Sequence, residues 1–147
     1  QNTDDLKGLE ELRRKFIISK EEETKILEKL LKRILPFARI TEEGEVMLER
    51  KNLAQIDRIA LVLVARFLGA RLSENISQEV TLEEIFRMAG VKKKVASARA
   101  SELIKDGIVD MVSRGRYKIR SLITAEEVIK RLEEKYILDN REIKDDV

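Results

Sequence analysis

The chain has 147 residues, room for one domain or for one small domain with helical additions, and its 43% of hydrophobic residues can fill a core. Charged residues make up 39%, but acids and bases nearly balance and the net charge is only +2, so total charge does not name a partner. With no cysteine and no histidine there is no disulfide framework, no thiolate nucleophile and no side chain that titrates unperturbed near neutrality, which excludes the commonest catalytic and metal-ligating groups.

Abundant Lys and Glu with no Cys, His or Trp resembles the composition of hyperthermophile proteins and points to a thermophilic, archaeal source. The longest apolar run, IALVLVA, is bracketed by Arg58 and Arg66 and is too short to span a bilayer. No signal-peptide pattern opens the chain, so a cytoplasmic setting is expected.

In chain order, Leu6, Leu9, Leu12 and Phe16 keep a three-to-four spacing that predicts an amphipathic helix over 4–16. Ser19 with Glu22 reads as a capping box that opens a second helix carrying Ile26, Leu27, Leu30, Leu31 and Ile34, and Pro36 ends it. These two stripes are either core or a surface for a partner helix, and the flanking helices favour a homodimer. Residues 37–40 and 45–48 read as a short hairpin. Asn52 is expected to cap the most apolar helix, which starts at Leu53, ends around Gly69 and is hydrophobic over most of its circumference, hence central and buried.

Thr81 and Glu84 form a second capping box, starting a helix that runs to about Met88 and stops at Gly90. Helix resumes near Lys92 and continues until Gly107. On a wheel at about 100° per residue, Ala96, Ala100 and Leu103 share one side, whereas Lys94, Ser97, Ala98, Ser101 and Lys105 share the other. Two strand-like runs, 108–112 and 116–120, flank Ser113, Arg114 and Gly115 and predict a hairpin. Thr124 with Glu127 reads as a third capping box, leading a helix whose stripe is Val128, Ile129, Leu132, Tyr136 and Ile137; residues 139–147 are charged and expected to fray.

The stretch ASELIKDGIVDMVSRGRYKI, together with the helix and turn before it, resembles the winged helix-turn-helix family over residues 53–120. The resemblance implies a mainly α (α+β) fold: a winged helix-turn-helix at 52–122, preceded by helices and a short hairpin at 1–51 and followed by a C-terminal helix and tail at 123–147. It also implies that the helix near 92–106 enters the major groove of double-stranded DNA while the hairpin, or wing, touches backbone or minor groove. The departure is at the helix start, where Lys92 stands in place of the family's usual Ser or Thr cap.

Charge distribution agrees with that expectation. Residues 87–120 hold ten basic side chains against three acidic ones, although the whole chain is nearly neutral. Lys92, Lys93 and Lys94 sit at a helix N-terminus, where the macrodipole disfavours each cation by about 0.3–1 kcal/mol and where phosphate oxygens would offset the repulsion. The candidate DNA-binding residues are therefore Lys92, Lys93, Lys94, Ser97, Ala98, Ser101, Lys105, Arg114, Arg116 and Lys118. A solvated ion-pair surface is the plain alternative. No glycine loop of the phosphate-cradling kind occurs, and consecutive carboxylates such as Glu21, Glu22 and Glu23 point in different directions on a helix. No enzyme, cofactor or metal is expected. The rival readings are an adaptor for protein–protein contacts on the same scaffold and a single-strand nucleic-acid binder, the latter disfavoured by aromatics at only 4%.

Overall fold

The computed structural model describes residues 3–138, so the expected fraying of 139–147 lies outside the described residues. The chain is mainly helical with small antiparallel sheets, an α+β protein, and divides into two compact units, residues 1–32 and 33–147.

In the first unit, α1 (Thr3–Phe16) and the start of α2 (Lys20–Ile34) are separated by Ile17, Ile18 and Ser19. The Ser19 hydroxyl accepts the Glu22 N–H at 3.1 Å, one half of the expected box, and Glu21, Glu22 and Glu23 suit the positive end of the helix. The apolar stripe of α1 is not core: Leu6, Leu9, Leu12 and Phe16 are 60–87% exposed.

The second unit is built around α3 (Gln55–Ala70), whose residues 59–69 form a continuous buried run. Each fully buried Leu, Ile, Val or Phe contributes roughly 1.5–3 kcal/mol, so this helix supplies the largest share of the core. Its entry differs from expectation. Asn52 does not cap it; Asn52 adopts φ 67°, a left-handed turn that Asn tolerates better than most residues, and the helix begins three residues later behind Ala54 with no side-chain cap. The Ala54 N–H instead donates to the Tyr136 hydroxyl at 2.9 Å, and that hydroxyl donates to Asp57 in the first turn. Lys135 bonds the same carboxylate at 2.8 Å, and that hydrogen bond raises the lysine above its ordinary pKa.

Around α3 lie the hairpin β1 (Ala38–Ile40) and β2 (Val46–Leu48), then β3 (Val80–Thr81), α4 (Leu82–Ala89), α5 (Lys93–Lys105), β4 (Val109–Ser113), β5 (Arg116–Ile119) and α6 (Leu122–Leu132). A π-helical turn over Glu133–Leu138 continues α6. The three-stranded sheet has the order β3-β5-β4, with Val80 opposite Tyr117 and Val109 opposite Ile119. The start of α6 is also earlier than expected. Ser121, not Thr124, is the cap, accepting from the Thr124 N–H at 3.2 Å; Thr124 is a buried first-turn residue whose hydroxyl lies 2.9 Å from that of Ser121. Val128, Ile129 and Leu132 are buried as the stripe required, and Arg33 clamps the far end through a forked bond to Glu133, 3.1 Å from Nε and 2.7 Å from Nη2.

One buried charge ties the unit together. Arg66 of α3 is 5% exposed and donates to the carbonyls of Ser77, Gly44 and Glu79 and to Glu84 Oε2 at 2.8 Å. Its guanidinium fork thus joins the β1–β2 loop, the segment entering β3, and α4. Glu84 does two things at once: its other oxygen accepts the Thr81 N–H at 3.0 Å, completing the capping box of α4. Burial works against ionising this carboxyl, but the Thr81 amide and Arg66 outweigh it and hold Glu84 below its ordinary pKa.

Candidate nucleic-acid interface

The candidate residues fall on α5 and on the β4–β5 hairpin, and both start from backbone-level signals. Gly90 adopts φ 66°, ψ 42°, with its N–H bonded to the Phe86 carbonyl, so α4 stops where only glycine is unstrained. Three residues later α5 begins behind Lys92, whose backbone is extended and whose side chain makes no capping bond. The contrast with α4 is sharp. Thr81 satisfies an amide of its helix, whereas the first-turn amides of α5 receive no side-chain oxygen from the cap position and are surrounded by Lys92, Lys93 and Lys94, all exposed.

At the other end α5 closes in a Schellman motif. Ile108 N–H donates to the Leu103 carbonyl at 2.9 Å and Gly107 N–H to that of Ile104 at 3.0 Å, with Gly107 at φ 77°. Ala96, Ala100 and Leu103 are buried toward α3 and α4, the two alanines allowing close approach. The opposite face is the expected one: Lys94, Ser97, Ala98, Ser101 and Lys105 are all exposed. Ser101 Oγ donates to the Ser97 carbonyl at 3.0 Å, which fixes its rotor and leaves its lone pairs outward.

The hairpin turns tightly on Arg114 and Gly115, with Ser113 already paired opposite Arg116 and a register shift between Met111 and Ser113, so the turn is one residue shorter than expected. Tyr117 is 7% exposed and packs inward.

Ion pairing divides the ten basic side chains of residues 87–120 into two groups. Arg87 pairs with Glu45, Arg99 with Glu102, Arg116 with Glu79 at 3.9 Å, and Lys118 and Arg120 with Asp110 at 3.9 and 2.9 Å. Among the described residues Lys92, Lys93, Lys94, Lys105 and Arg114 have no acidic partner within 4.0 Å. Sequence alone weights all ten equally; the acids that engage five of them come from β4, the segment before β3, the β1–β2 loop and the next turn of α5. The unengaged cations therefore cluster on the first turn of α5, at its last residue and at the hairpin tip.

No group of acidic or other ligating side chains that could hold a metal ion occurs among the described residues, and no described helix is long and apolar enough to cross a membrane. No protein-family model, curated protein or solved structure matches the chain.

Proposed function

We propose that residues 53–120 form a winged helix-turn-helix that binds double-stranded DNA, and that the protein is a cytoplasmic transcriptional regulator working by binding and not by catalysis. The observation that carries this reading is the uncapped N-terminus of α5: three exposed lysines without acidic partners among the described residues, next to a flat exposed face of Ser97, Ala98 and Ser101. Folding alone favours an acid or a serine there. A phosphate would accept from the free amides and neutralise the lysines together, and the small side chains would let the helix backbone approach base edges. Lys92, Lys93 and Arg114 are assigned to phosphates, with Arg116 and Lys118 joining if they exchange Glu79 and Asp110 for DNA. Lys94, Ser97, Ala98 and Ser101 are assigned to the groove, and Lys105 to the flanking backbone.

A second reading, an adaptor on the same scaffold, is favoured by the exposed stripe of α1. A gel shift of the full chain on mixed genomic duplex separates them, with a single-stranded control and two salt concentrations. Duplex binding that weakens steeply with salt is expected. No shift on duplex leaves the adaptor reading, and preference for the single strand overturns the groove-reading model.

A further inference from the structure

We infer that α1 pairs with α1 of a second copy of this chain in an antiparallel arrangement with Leu9 on the two-fold axis. Three observations within the first unit carry this. Leu6, Leu9, Leu12 and Phe16 occupy an arc of about 120° on the helix, and they are 60%, 64%, 63% and 87% exposed, so the face has no cover among the described residues. The helix is 14 residues long and contains Gly8, beside which an added Cβ would meet nothing within 4 Å. A helix of that length with an unsupported glycine is marginal alone in water and needs a partner surface.

Charge order selects the partner. The helix opens with Asp4 and Asp5 and closes with Arg13, Arg14 and Lys15, while Lys7, Glu10 and Glu11 lie between, so acids and bases balance. A helix lying on an anionic lipid surface would carry an excess of Lys and Arg, which this one lacks. An antiparallel copy brings the acidic end of each helix beside the basic end of the other and opposes the two macrodipoles. With Leu9 facing its counterpart, residues whose numbers sum to 18 stand level: Leu6 lies across from the partner copy's Leu12, so the leucines meet without a gap, and the level of Asp5 matches that of Arg13. A parallel pair would stack acid on acid and base on base along the same seam.

The inference does not depend on DNA binding, and its test contains no DNA. Light scattering of the full chain should give twice the 17.0 kDa chain mass, and Leu9→Glu, which sets two like charges together on the axis, should raise the dissociation constant by about a hundredfold or more. Leu9 is exposed in the single chain, so the melting of the Leu9→Glu protein should otherwise persist. The chain has no cysteine, which makes cross-linking unambiguous: an oxidised mixture of Leu6→Cys and Leu12→Cys proteins should form the mixed disulfide, whereas Leu6→Cys alone should not link to itself. A monomer at all concentrations, a dimer indifferent to Leu9→Glu, or self-linking of Leu6→Cys in place of the mixed product each overturns the inference.

Discussion

Arg66 shows how one side chain can organise a unit whose elements otherwise meet through apolar contact. Its guanidinium satisfies three backbone carbonyls and one carboxylate inside a nearly closed site. Replacing it by methionine keeps much of the volume but leaves those acceptors without a donor, and a loss of about 3 kcal/mol or more is expected in chemical denaturation. Glu84 gives the same network a pH signature. Because its folded pKa lies below the unfolded one, ionised Glu84 adds stability above its ordinary 4.5, and that stability is lost as the pH falls through the lowered folded value. The stability difference between wild type and Glu84→Gln should therefore be largest near neutrality and shrink in denaturant melts carried to about pH 3; a constant difference would remove the carboxylate from the network. Gly107 makes a backbone point. At φ 77° a Cβ is strained and would stand 3.0 Å from Arg120 Nη1, so Gly107→Val should lower stability by more than about 1 kcal/mol, read as a clear drop in melting temperature.

At the scale of the element, α5 sets local stability against the proposed use. Lys92→Ser supplies the missing cap and removes a cation from the positive end of the dipole, so stability should rise by about 1 kcal/mol while DNA affinity falls. A variant that gains stability and keeps its affinity would show that the lysine serves neither end. Lys92, Lys93 and Arg114 replaced together by alanine should flatten the slope of log affinity against log salt by about 2.7, taking about 0.9 per phosphate contact. Lys29, Lys32 and Lys130 are an equal charge on α2 and α6, all exposed, and their replacement should change the slope little. Equal losses in the two triple variants would mean that charge acts diffusely.

At the scale of the whole molecule, the division at residue 32 separates an exposed apolar helix from the unit that contains α3 and its surround. Residues 5–18 are exposed throughout, so deleting residues 1–18 should shift the melting temperature by no more than a few degrees while abolishing self-association. A large drop in melting temperature would mean that the helix contributes to the folding of the chain that bears it. If the dimer is also the DNA-binding species, the same deletion should weaken duplex binding without changing which strand form is preferred.

Much of this is legible in the sequence, and the reasons are local. Thr81 with Glu84, Gly90, Gly107 and the alternation of Ala96, Ala100 and Leu103 with Lys94, Ser97, Ala98 and Ser101 depend on backbone geometry within a turn or two, so spacing alone located them. Asn52 and Thr124 depart from the capping roles expected of them for the same reason in reverse. A residue type that caps helices also fits a left-handed turn or a buried first turn, and which of these occurs is decided by Tyr136, 82 residues away from the amide it receives, and by Ser121. The sequence by itself determined the amphipathic faces, the helix stops and the excess of cations between residues 87 and 120. Apart from Arg99, which meets Glu102 one turn along its own helix, only the tertiary structure decided which cations are engaged, because Glu79, Asp110 and Glu45 reach them through sheet pairing and loop packing that no local periodicity encodes. It likewise decided that Arg66 is buried and that the stripe of α1 is bare, since burial depends on which surfaces meet and not on which residues are apolar.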